Sequence, residues 1–242
     1  MQSGLYVSLS SQVALERRLT TIADNVANLG TVGFRATGVK FADVVSGRGQ
    51  EAVSFVSTGD TYLSGASGGF RQTENMFDFA IQGDAWFAIE TPGGTVMTRD
   101  GRFTMLDTGE LVTHEGYPVL DAGGAPLVLN PLAGAPQAGG DGALYQNGVA
   151  AGAIGLYTFD PGPNFTRFGN SGIVPRGNPE PVVDRSDVSL KQGFLEDSNV
   201  NPVLEMTRLI MVQRAFENAA ALARDSEEAL GEAIRTLGSR ST

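Results

Sequence analysis

The sequence predicts a mixed fold in which long N- and C-terminal α-helices form a coiled-coil-like domain and an all-β domain is inserted between them. Three observations lead there. Near the C-terminus, Leu209, Val212, Phe216, Ala219, Ala223, Ser226, Leu230, Ala233 and Leu237 are spaced alternately three and four residues apart, a heptad seam with one polar break at Ser226. At the other end, Leu5, Ser8, Gln12, Leu15, Leu19, Ile22, Val26 and Leu29 repeat the alternation. Most of the 32 glycines lie between the two, where short apolar runs alternate with turn residues.

The first helix should stop near Asn28, because Gly30 and Gly33 follow at once. Glu16, Arg17 and Arg18 lie off its seam, as a solvated or partner-facing stripe would. The stretch from Asp24 to Arg35 reads as a helix exit whose direction is set by glycine torsions and an asparagine side-chain bond. Residues 36–75 read as an extended connector in which Val53–Val56 and Thr61–Leu63 could pair as a hairpin. Residues 76–197 read as a β-rich outer domain. Phe79–Gln82, Trp86–Ile89, Thr95–Arg99, Arg102–Leu106 and Glu110–His114 recur at short spacing with turns such as Asp100-Gly101 between them, the texture of a small sandwich or barrel. The proline-rich run from Pro175 to Pro181 is unsuited to a central strand. The last helix should begin at Asn201 as N-cap, with Pro202 at the first helical position, and end at Gly238, a length of about 55 Å. Residues 1–35 and 198–242 then make up one helical domain.

Composition removes several function classes. The net charge is −10 and the only lysines are Lys40 and Lys191, so the chain lacks the electrostatic footprint for nucleic acid or an anionic membrane surface. The opening residues lack the basic and apolar regions of a cleaved signal peptide, and no apolar run approaches membrane-spanning length. There is no cysteine, hence no disulfide or thiol chemistry.

The best enzyme-like match is Gly65-Ala66-Ser67-Gly68-Gly69, which fits the Gly-x-Ser-x-Gly pattern; with an aspartate and His114 it yields a serine-hydrolase alternative. A nucleophile elbow needs a strand before the serine and a helix after it, and Phe70–Asn75 does not read as a helix. His114 is the only histidine, so histidine-based metal ligation has no partners, and Asp184 and Asp187 lack EF-hand spacing. No cofactor, metal, catalytic residue or small-molecule substrate is expected. What remains are interaction features. They are the two seams, charge pairs along the last helix such as Glu205 with Arg208, and the polar-aromatic cluster Gln213-Arg214-Ala215-Phe216.

Asp24-Asn25-Val26-Ala27-Asn28-Leu29-Gly30-Thr31-Val32-Gly33-Phe34-Arg35 resembles the N-terminal signature of the bacterial flagellar rod and hook family. Ser198-Asn199-Val200, Glu205-Met206 and Gln213-Arg214-Ala215-Phe216-Glu217 resemble its C-terminal signature, and Thr98-Arg99-Asp100-Gly101-Arg102-Phe103 its central β-domain. Asp24 stands where the signature usually has Asn, and Leu29-Gly30 where polar residues are common. The resemblance implies a structural, non-enzymatic subunit of the flagellar rod, most like those of the proximal rod, with a distal-rod or hook-type axial protein as the alternative. It implies self-association and contact with other rod proteins through the terminal helices, in a torque-transmitting shaft that also walls the export channel. It implies a periplasmic place in the basal body, reached by flagellar type III export without a cleaved signal. The residues it assigns to subunit contacts are Leu5, Leu15, Leu19, Ile22, Asn25, Val26, Asn28, Thr31, Gly33 and Phe34 on the N-terminal side. On the C-terminal side they are Asn199, Val200, Leu209, Val212, Gln213, Arg214, Phe216, Leu230 and Leu237.

Overall fold

The computed structural model describes residues 2–46, 53–57, 59–183 and 185–238. Its chain divides into two compact units. One unit comprises residues 1–26, 37–61 and 201–242, and the other residues 27–36 and 62–200.

In the first unit, α1 runs Gln2–Ala27 and α2 runs Pro202–Gly238. Asn201 caps α2 as its sequence predicts: its side-chain oxygen accepts the amide of Leu204 at 3.0 Å. Thr37–Lys40 pairs with Asp60–Leu63, and Asp43–Ser46 pairs antiparallel with Val53–Val56. The hairpin expected between Val53–Val56 and Thr61–Leu63 is therefore not made. Each run finds an earlier strand instead, since the sequence shows which runs are extended but not which are neighbours.

The second unit is built on a six-stranded sheet. Its order is Thr166–Phe168, Gly172–Val174, Gly94–Thr98, Trp86–Thr91, Leu156–Thr158 and Glu180–Pro181. The proline-containing strand sits at an edge, where a missing amide breaks no ladder. The central hairpin is apolar at Trp86–Ile89 and at Val96 and Met97, where both its faces are buried. Phe87, Ile89 and Val96 pack into a large core with Phe79, Phe103, Leu111 and Leu144. Trp86, Ala88 and Met97 point the other way, into a smaller core with Leu120, Tyr157 and Ile173.

The coiled-coil-like domain of paired terminal helices with an all-β insert is not what forms. The chain has two α-helices among the described residues and a β-rich body, with strands also in the stretch between α1 and the larger sheet. The periodicity misleads for a physical reason. Among the described side chains of α2 only Glu205 and Val212 are buried, and Arg208, Leu209, Ala219, Ala220 and Ala223 are half-buried, while Val203 is 75 % and Phe216 39 % exposed. Val203, Leu204, Met206, Ile210 and Met211 are apolar, exposed and off the heptad register, so the apolar surface spreads well beyond one stripe. No described helix is long and apolar enough to cross a membrane.

Candidate functional site: a buried junction of the chain ends

The residues just after α1 and just before α2 meet in the second unit around one carboxylate. Glu196 ends the short strand Phe194–Glu196, which pairs with Phe70–Gln72, and its side chain is 1 % exposed. One oxygen, Oε1, takes a bond from Arg35 Nη2 at 2.8 Å and another from the Gly68 amide at 3.0 Å. The other, Oε2, faces Arg99 Nη1 at 3.2 Å.

Both arginines are also buried and donate further to backbone carbonyls. Arg99 donates to the carbonyls of Ile81 at 2.9 Å and Gly83 at 2.6 Å. Arg35 donates to the carbonyls of Gly65 and Ala66. The Nε atoms of both lack a hydrogen-bond acceptor. The Trp86 ring lies beneath them, with its centroid 5.4 Å from Arg99 Cζ and 6.0 Å from Arg35 Cζ. The negative face of the indole offsets part of the excess positive charge.

Burial lowers the pKa of Arg99 to about 10, opposed by Glu196, and lowers that of Arg35 for the same reason. Arg99 therefore remains ionised at neutral pH, with Glu196 and Asp84 as its counter-charges. Such a cluster gains little over a well-packed apolar core, but loss of one member strands the others in a poor solvent.

The backbone around the cluster is equally tight. Gly33 has φ +68°, and its amide donates to the Glu196 carbonyl at 2.7 Å. A Cβ on Gly33 would lie 2.4 Å from the carbonyl carbon of Arg99, so glycine is required twice over. Asn199 accepts the Ala36 amide at 2.7 Å and donates to the Ala66 carbonyl at 2.7 Å and Ser64 Oγ at 3.2 Å. Its own amide reaches the Phe34 carbonyl at 3.2 Å. Phe34 is buried, with the Arg167 guanidinium 4.3 Å from its ring centroid.

The structure thus brings Gly33, Phe34, Asn199 and Val200 into the second unit, Phe34 and Val200 buried and Asn199 half-buried. Thr31 bonds the Asn28 side chain at 3.0 Å. In the first unit, Asn25 is buried and exchanges two 2.9 Å bonds with the backbone of Thr37, as a neighbouring strand would. Ile22 and Val212 are buried, whereas Leu15, Leu19, Val26 and Leu209 are half-buried. Gln213, Arg214 and Phe216 are exposed. The side chains of Leu5, Leu230 and Leu237 lie outside the described residues.

Sequence reasoning missed Glu196 altogether and gave Arg35 and Arg99 no role of their own, although both stand within the segments that carry the family resemblance. The signal was position: Arg35 ends Gly-Phe-Arg, Arg99 lies in Thr-Arg-Asp-Gly, and Glu196 stands two residues ahead of Ser198-Asn199-Val200.

The hydrolase constellation does not assemble. Ser67 is exposed, 3.5 Å from Arg35 Nη2, and the segment after it enters the strand Phe70–Gln72 rather than a helix. His114 lines a surface recess with Thr113, Glu115 and Phe168, to which Ser67 contributes nothing. Among the described residues no group of three acidic or histidine side chains is placed to hold a metal ion.

Known proteins match this sequence along its whole length. Residues 5–35 match the flagella basal body rod protein model, and residues 80–144 the flagellar hook protein FlgE/F/G D1 domain. Residues 191–236 match the flagellar basal body rod FlgEFG protein C-terminal model. A flagellar basal-body rod protein FlgF of Mesorhizobium japonicum is 70 % identical over 241 residues, covering 100 % of both chains. The chain belongs to the FlgF family of flagellar basal-body rod proteins. Other relatives of that name, from Rhizobium meliloti and Caulobacter vibrioides, are 58 % and 37 % identical, each match covering 98 % of this chain and 99 % of the relative. Each of the three matched segments holds one charged member of the junction, Arg35, Arg99 and Glu196 in turn, while the loop 64–68 lies outside them.

Proposed function

We propose that this chain is a structural subunit of the proximal part of the flagellar rod, joined to its own copies and to other axial proteins through its terminal segments. The observation that carries the reading is the full-length family match together with the apolar side chains left bare along α2. Exposed apolar surface of that extent marks an interaction site, and head-to-tail contacts between copies generate a filament rather than a closed ring. Residues 1–35 and 198–242 would make the subunit contacts, with 36–75 connecting them to the β-rich residues 76–197. In this reading the shaft transmits torque, walls the export channel and lies in the periplasm, and the chain arrives by type III export without a cleaved signal. No catalytic step is needed.

Phe216→Asp tests this in cells that lack the wild-type chain. The variant should be produced but absent from purified basal bodies, and the cells should not swim. Normal incorporation of Phe216→Asp would sink the assignment of α2 to subunit contacts.

A further inference from the structure

The chain has no cysteine, so a two-electron oxidant finds its softest targets in the thioethers. Five of the six methionines are described, and their settings differ. Met97 is fully buried in the smaller core with Ala88 and Ile173, and Met105 is half-buried. Met76, in the second unit, is 55 % exposed, Met206 48 % and Met211 56 %.

Two of the three exposed thioethers therefore stand on the bare stretch of α2. At 3.6 residues per turn Val203 and Ile210 lie about 20° apart around the helix. Met206 falls about 40° beyond Ile210 on one side, and Met211 about 80° from Val203 on the other. A methionine thus flanks the apolar arc on each side. Thr207 is the one polar residue inside that arc, and it turns its hydroxyl back onto the Val203 carbonyl at 2.8 Å. The surface is apolar only while the two sulfurs stay reduced.

We propose that Met206 and Met211 are oxidation sites at which hydrogen peroxide controls the entry of this chain into an assembly. The proposal rests on the reading of α2 as a subunit contact. A sulfur lone pair attacks one peroxide oxygen, and the S–O bond forms as the O–O bond breaks. The hydroxyl proton passes to the departing hydroxide, giving one sulfoxide and one water. Sulfur loses two electrons and the peroxide gains them. Each sulfoxide is a strong hydrogen-bond acceptor on a surface that a neighbour has to desolvate, and an apolar neighbour leaves it unpaired. Packing covers the sulfurs, so a free copy is open to the oxidant and an assembled one is shielded. Enzymatic reduction of the sulfoxide restores the apolar arc.

The first arm of the test uses the purified full-length chain and peptide mass spectrometry. Hydrogen peroxide should oxidise Met206 and Met211 at least tenfold faster than Met97, with the thermal transition unchanged, because neither helix side chain is packed. Equal rates at 97, 206 and 211 would overturn the proposal. The second arm uses cells that lack the wild-type chain and methionine sulfoxide reductase, and begin to make the test chain as peroxide is added. The fraction of wild-type chain recovered in basal bodies should fall at least fivefold relative to untreated cells. Met206→Leu with Met211→Leu, which keeps volume and apolarity, should hold its untreated level, while Met76→Leu should fall as the wild type does. An equal fall in the double variant and the wild type would overturn the proposal. Absence of the untreated wild-type chain from basal bodies would instead overturn the rod reading.

Discussion

Two neighbouring stretches of the C-terminal signature behave in opposite ways. Glu196 to Val200 satisfies almost everything it carries: both carboxylate oxygens, the Asn199 amide group and the Val200 side chain are all committed within the chain. The first half of α2, which begins at Pro202, leaves Val203, Leu204, Met206, Ile210, Met211 and Phe216 exposed. The junction is complete in one molecule, and the helix is not. Signature residues therefore do two jobs. Some fix the chain's own shape, and others keep apolar surface in reserve.

The largest test of that division is Glu196→Ala. It should lower unfolding stability by about 3–5 kcal/mol, since two buried guanidinium groups lose their shared partner. Denaturant titration followed by fluorescence of Trp86, the only tryptophan, reads this directly because the ring lies against both arginines. A loss under 1 kcal/mol would mean that the cluster is solvated in solution. Gly33→Ala should cost about 2–3 kcal/mol through the left-handed torsion and the close approach to Arg99, whatever its effect on assembly. Asn199→Ala should cost about 1–2 kcal/mol for the lost side-chain bonds and should speed hydrogen exchange at the Ala36 amide. Phe216→Asp should change the stability of the isolated chain by less than about 0.5 kcal/mol, because an exposed side chain has little to lose. A large destabilisation by Phe216→Asp would erase the contrast between junction and helix.

How far these features could be read in advance depended on whether their cause was local. The exit from α1, with Asn25 bonding backbone and Gly33 in a left-handed torsion, follows from residue types a few positions apart. So does the Asn201 cap. The two-faced burial of Trp86–Ile89 is also visible, as an apolar run between turns. What escaped depends on partners far away in the chain. The heptad spacing of α2 revealed an apolar face but not what covers it, and exposed Ile210 and Met211 lie off the seam altogether. The Glu196 cluster escaped for the opposite reason. A lone glutamate between apolar residues and an aspartate gives no local sign that two arginines, 97 and 161 positions earlier, close over it.

That separation bears on when the molecule becomes itself. The Asn199–Ala36 bond spans 163 residues and the Glu196–Arg35 pair nearly as many. Contacts so remote along the chain demand closure of a long loop before they return any enthalpy, which slows folding and places them late. A polypeptide that emerges N-terminus first leaves the Gly33 amide, the Phe34 carbonyl and the Arg35 guanidinium without their partners at Glu196 and Asn199 until those residues are free. The junction thus closes only once residues 196–199 are free to meet residues 33–36.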